Sequence, residues 1–391
     1  MPEEENAFAL LEEAAALARM TESDDPEGVS AFAEIEESDE YGSGIAAEFL
    51  AGKREALEAL DAALERPSFR VPRVEFISDE VPANYNGILD LVKILRVGAL
   101  HKAANGDRAG AVSDVKKMAA VCDWLQNGEG SLIHSLAAVT AATNVVTCVE
   151  MLADELGEED ALIAADLQRT LPKLETCREA IEFSLRVEYL IQKIMVEQVL
   201  KGEFTVDHRL QGKGHGKRPS PLVFKPNETL QRFADFDRGA IEDLGRFASE
   251  REVGRYAFEE PSYPERFISG NPVGILLFSI TMPNYEVILQ RVLAEMVRTQ
   301  LVILKLALRR HEFAHGSLPD SLDALVPEFL DAVPADPYDG KPLRYSKENR
   351  IVYSVGKDLV DGGGSPEEEF DIAAPDPTVK LAGYVEGVEE E

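Results

Sequence analysis

Residues 88–127, ILDLVKILRVGALHKAANGDRAGAVSDVKKMAAVCDWLQN, hold two apolar-periodic runs joined by Asn105-Gly106-Asp107. On both sides of that tripeptide apolar side chains recur every three or four residues, the spacing that puts them on one face of an α-helix. Glycine readily takes the left-handed backbone that closes a helix, and an aspartate just beyond it can accept the first N–H groups of the next. The pattern predicts an antiparallel helical hairpin with a three-residue turn.

The same period extends outward. Toward the N-terminus, Ala7 to Ala18 and Ile45 to Leu64 read as helices, separated by the Asp/Glu/Ser/Gly-rich stretch 21–44. Toward the C-terminus, a long apolar helix runs from Gly130 through Leu156, and Thr170 with Pro172 marks a start reaching Lys201. Helices joined by short turns bury their stripes against neighbours, so the expectation is a mainly α chain, an irregular bundle or solenoid. Residues 103–111 resemble a tetratricopeptide hairpin, although no clean repeat of 34 residues runs through the chain.

Beyond residue 201 the pattern changes. Residues 202–224 scatter Arg209, Lys213, Lys217 and Arg218 among glycines and lack the spacing of a phosphate-cradling loop, so they read as an exposed basic connector. Asn227-Glu228-Thr229 reads as the cap of a following helix. After a Pro-containing linker at 259–264, Pro283 opens the longest helix, ending at His315 before Gly316-Ser317-Leu318-Pro319. Val297, Leu301, Leu304 and Leu308 form its apolar stripe. A short helix near Leu322 to Val326 follows, then Leu343-Arg344-Tyr345 and Ile351-Val352-Tyr353 as a small antiparallel hairpin. These changes divide the chain into an acidic segment with one helix (1–44), a helical body (45–201), a connecting region (202–271) and a small α+β domain built on the long helix (272–391).

Acidic side chains number 72 against 40 Lys plus Arg, a net charge of −32. Such a chain lacks the clustered cations that nucleic-acid affinity requires. The surplus gathers at the ends: residues 1–80 carry −16 and residues 356–391 carry −9, which predicts solvated, self-repelling termini. No run of about 18 apolar residues predicts a membrane span, and no export signal is read at the N-terminus. Cys122, Cys148 and Cys177, three in number and without a CxxC, read as buried thiols.

His311-Glu312-Phe313-Ala314-His315 matches HExxH, in which two imidazoles one helical turn apart hold zinc and the glutamate acts as general base. It defines one candidate site, a zinc hydrolase with Glu312 catalytic and His311 and His315 as ligands. Leu318 and Asp320-Ser321 stand where the extended metzincin motif needs glycine and a third histidine. The competing expectation is that both histidines prolong the Leu304, Leu308 stripe and lie under Tyr345 and Tyr353.

The C-terminal run offers a different account. Gly316-Ser317-Leu318-Pro319-Asp320-Ser321-Leu322, residues 336–345 (DPYDGKPLRY) and Tyr353-Ser354-Val355-Gly356-Lys357-Asp358 with Asp361-Gly362-Gly363 and Asp371-Ile372 are similar, in order, to motifs of type II secretion major pseudopilins, the G-type subunits. Tyr338 stands at that family's tryptophan and Asp339 is inserted beside it. The resemblance implies a pseudopilin-like α+β domain whose last loop binds calcium, with Asp358, Asp361 and Asp371 as hard oxygen donors and Gly362 to Gly364 turning carbonyls inward. Across most of its length the chain also resembles a family of planctomycete-type bacterial proteins, through Asn6-Ala7-Phe8, Asn105-Gly106-Asp107, residues 224–229 (FKPNET) and Asn271-Pro272-Val273-Gly274. That resemblance implies a cell-envelope location, with an N-terminal membrane anchor in longer members. The expected function is a non-enzymatic envelope scaffold for protein partners, closed by a calcium-binding loop.

Overall fold

The computed structural model describes residues 5–70, 84–127, 130–206, 218–251, 268–281, 285–366 and 370–384. Four helices come first: α1 (Phe8–Ala18), α2 (Pro26–Ser38), α3 (Gly44–Gly52) and α4 (Arg54–Leu64). The hairpin that opened the reading is α5 (Tyr85–Ala104) and α6 (Arg108–Asn127). Its turn forms as expected, with Gly106 at φ 83° and Asp107 Oδ1 accepting from Gly110 N–H at 2.9 Å. An alanine Cβ at Gly106 meets no atom within 4 Å, so Gly106→Ala tests backbone strain alone. Its expected cost is about 1 kcal/mol in chemical denaturation.

Helices α7 (Leu132–Asp154), α8 (Ala161–Thr170) and α9 (Leu174–Lys201) complete the body. By length and composition α7 could cross a membrane, but it packs against α5, α6, α9 and the long helix below, with 67% of its most apolar window buried. Within this body Cys122 and Cys148 are buried thiols, and burial pushes Cys148 up to about 12. The side chain of Cys177 lies outside the described residues.

Three expectations are corrected here. The acidic stretch 21–44 is no solvated spacer, because α2 docks within it. Its Ile35 is buried, Asp25 caps the helix at Gly28, and Glu36 pairs with Arg96 of α5. Ile45 to Leu64 is two helices, broken at Lys53, whose buried ammonium reaches Asp25 at 2.6 Å and so ties the break to the base of α2. Thr170 ends α8 instead of starting a helix; the extended backbone of Leu171 separates it from α9.

Next come α10 (Pro226–Leu244), α11 (Pro272–Thr281) and α12 (Tyr285–His315). The first turn of α10 is held from outside. Asn271 Oδ1 accepts Lys225 N–H at 2.9 Å, and its amide nitrogen donates to Thr229 Oγ1 at 3.0 Å. Two motifs singled out in the sequence thus meet across 46 residues, and Asn271 takes the bracing role expected of Asn227. The basic residues at 207–217 and the linker at 259–264 lie outside the described residues.

Helix α12 has 31 residues, about 46 Å of rise, and carries two apolar faces. Val302 and Leu306 enter the core of the helical body. Val297, Leu301, Leu304 and Leu308, the stripe read from sequence, join Leu318, Leu322, Tyr338, Val352 and Val379 in a second core. Covering that second face is a 3₁₀ turn (Leu322–Leu325) and a three-stranded antiparallel sheet: β1 (Arg344–Ser346), β2 (Ile351–Tyr353) and β3 (Thr378–Lys380), in the order β1-β2-β3. Val352 is central, opposite Tyr345 on one side and Val379 on the other. The third strand had no sequence signal, being three residues long directly after Pro377.

Candidate functional site

Two places carry the chemistry read from the sequence, and both lie where α12 meets the sheet. At the end of α12, His311 and His315 stack on each other with ring centroids 4.2 Å apart. Each uses its Nδ1 locally, His311 at Ser317 O and His315 at His311 O, both at 3.1 Å. They stand edge-on to Phe329, not beneath Tyr345 and Tyr353 as expected. Glu312 is committed on both oxygens: Oε2 pairs with Arg309 at 2.8 Å and Oε1 with Arg350 at 3.0 Å. A carboxylate clamped between two guanidinium groups ties α12 to the sheet and is held in its charged form by both. Among the described residues no three His, Cys, Asp or Glu side chains gather to hold a metal, so neither Glu328 nor Glu348, the carboxylates that follow in the chain, joins the two histidines.

The glycine-rich loop between β2 and β3 is organised differently. Its foundation is Asp336, fully buried and fully satisfied. Oδ1 accepts from Tyr338 N–H at 3.0 Å and Ser354 Oγ at 2.9 Å; Oδ2 accepts from Arg344 Nη1 at 2.8 Å and Val355 N–H at 3.0 Å. The two segments 336–345 and 353–358 therefore interlock through one carboxylate. Arg344 also holds Asp339 at 2.6 Å, and this pairing keeps the Asp339 carboxyl below its usual range. The inserted residue thus has a defined partner.

Above this base, Asp358, Asp361 and Asp371 are all exposed. Asp361 accepts from Tyr353 Oη at 3.0 Å and from Gly363 N–H at 3.3 Å, while Asp358 and Asp371 accept N–H groups of their own turns, at Val360 and Ala373. The carboxylate that organises the loop is one the sequence reading passed over. Asp376 is only 2% exposed, and its Oδ2 accepts Gly364 N–H at 3.2 Å. Among the described residues its buried Oδ1 has no hydrogen-bond partner. Burial raises the carboxyl above its usual range, the Gly364 and Gly362 amides oppose that, and the negative charges of Asp361 and Asp358 reinforce it. A buried acceptor without a donor is costly, and a hard cation satisfies it. Asp371 shows no part in this electrostatic group. The sequence offered little to single out Asp376, which sits among Pro375, Pro377 and an acidic tail and reads as one more loop residue.

Fold and site together define a mainly helical protein closed by a small three-stranded antiparallel sheet on its longest helix. No known protein family, curated protein or solved structure matches the chain.

Proposed function

We propose that the protein is a non-enzymatic scaffold of the bacterial cell envelope, with a tetratricopeptide-like helical body for protein partners and a pseudopilin-like C-terminal domain whose loop is pinned by calcium. The observation carrying the reading is the buried Oδ1 of Asp376, without a hydrogen-bond partner among the described residues and set in a glycine turn with Asp358 and Asp361 acting on it electrostatically. Calcium takes six to eight oxygen ligands, and carboxylates with backbone carbonyls of a glycine-rich turn are the donors it uses. Asp376 and Asp361 would be the protein's main anionic ligands, with Asp358 at the rim. The ion would neutralise charges that otherwise repel one another. Partner binding is supported by Phe183 and Leu190, large apolar side chains seven residues apart on α9 that stay exposed.

Thermal melting of the full chain tests the calcium assignment. Calcium at about 100 times its Kd is expected to add about 2.7 kcal/mol of stability. Asp376→Asn is expected to abolish that response while magnesium leaves both proteins unchanged. A wild-type melting curve indifferent to calcium overturns the assignment.

A further inference from the structure

Between the helical body and the C-terminal sheet lies a cleft of about 430 Å³, distinct from the glycine-rich loop. That is within the range of roughly 300–1,000 Å³ in which proteins enclose small molecules. Its acidic side chains are Glu36, Asp39, Glu150 and Asp154. Its basic ones are Arg96, Arg298, Lys305 and Lys380. Four against four makes the cleft neutral in a chain of net charge −32, so it is not an extension of the acidic surface. A polyanion or a polycation entering it meets as much repulsion as attraction; a ligand with one charge of each sign does not.

Three ion pairs line the walls, and each keeps bonding capacity to spare. Arg298 places both Nε and Nη2 on the same oxygen of Glu150, at 3.0 and 2.8 Å, so that Glu150 Oε1 has no bond to another described residue. Arg96 pairs with Glu36 through Nη2, and its Nε is buried away from the cleft, without a partner among the described residues. Lys305, 4% exposed at its side chain, makes one 2.7 Å bond to Asp154 and has two further N–H groups. The remaining two charges, Asp39 and Lys380, have no ion-pair partner among the described residues; the Lys380 ammonium lies 5.1 Å from the Tyr384 ring. Phe370, with the Arg298 guanidinium 5.3 Å from its ring centroid, and Met151 add apolar surface.

We infer that this cleft binds a small zwitterion of the amino-acid to dipeptide class. The carboxylate takes the spare Nη1 of Arg298, with Lys380 at its side, and the ammonium takes the spare acceptors of Glu150 and Asp39. Neutrality with separated charges specifies both ends at once: a solute lacking either end leaves one set of cleft charges unanswered.

Calorimetric titration of the full chain with alanine and dialanine, alongside N-acetyl-dialanine and dialanine amide, tests the inference. The titrations are run with calcium and again with chelator, which separates this result from the fate of the loop assignment. Saturable binding of a zwitterion is expected, weakened about tenfold or more when either end is blocked. Lys380→Gln and Asp39→Asn break no ion pair, so each is expected to leave the unliganded melting temperature in place while weakening binding by about tenfold. Absence of saturable binding by both zwitterions at about 10 mM in both conditions, or equal binding of the blocked forms, overturns it.

Discussion

Asp336→Ala is expected to cost about 3–5 kcal/mol of folding free energy, the largest single-residue effect predicted for this protein. The wild-type carboxylate takes four hydrogen bonds, from Tyr338 and Val355 amides, the Ser354 hydroxyl and the Arg344 guanidinium, at a position with no solvent exposure. Truncation leaves those donors without an acceptor and no room for water to reach them without opening the sheet. Arg344 keeps Asp339, so its charge is not stranded, and the loss is concentrated in the amides that join the two loop segments. Asp336→Asn preserves volume but turns a donor toward donors, and a loss of about 2 kcal/mol or more is expected from it too. Urea unfolding supplies the magnitudes, and hydrogen exchange at Val352 and Val355 locates the opening. A cost under about 1 kcal/mol for the alanine variant would show that the carboxylate does not hold the motifs together.

The second large effect concerns Glu295, buried between α12 and α7, where desolvation raises its carboxyl to about 7 against the help of Thr143, Arg298 and Thr299. Its hydrogen bonds favour the charged form but do not outweigh burial. Thr143 Oγ1 lies 2.6 Å from Glu295 Oε2 and 3.1 Å from Val139 O, and one hydroxyl hydrogen cannot serve both acceptors. At 2.6 Å the shorter of the two is the bond that Thr143 donates to Glu295. Between its ordinary pKa of 4.5 and about 7 the folded state holds a proton that the unfolded state releases. Stability from this group is therefore full below pH 4.5 and falls as pH rises to 7, by about 3 kcal/mol in total. Glu295→Gln reproduces the protonated geometry without the titration. At pH 8 it should be more stable than wild type by about 2–3 kcal/mol, and near pH 4.5 the two should converge. Equal pH slopes in the two proteins would refute the assignment.

Much of the architecture was readable along the chain because helical period is local information. The α5–α6 hairpin, one apolar stripe of α12 and the first two strands came from spacing and turn residues alone, whereas the second face of α12, Val302 and Leu306, did not. The misplaced expectations share a cause. Stretch 21–44 looked like a self-repelling spacer because Glu36 and Asp25 were counted as like charges, whereas Arg96 and Lys53 answer them from 60 and 28 residues away. His311 and Glu312 matched a catalytic spacing, but Arg350, 38 residues on, occupies the glutamate. The loop aspartates were chosen by motif, while the group that organises the loop, Asp376, is marked by burial that no local pattern encodes.

By itself the sequence determined the helical class, the hairpin turn at Gly106, the apolar stripe of α12 and the concentration of charge at the ends, since each follows from backbone preference or from short periods of apolar residues. Only the tertiary structure decided which carboxylates leave water. Asp336, Glu295 and Asp376 resemble any other acidic residue in the chain. What distinguishes them is the environment assembled by distant segments, because desolvation and hydrogen-bond satisfaction depend on what surrounds a group in space.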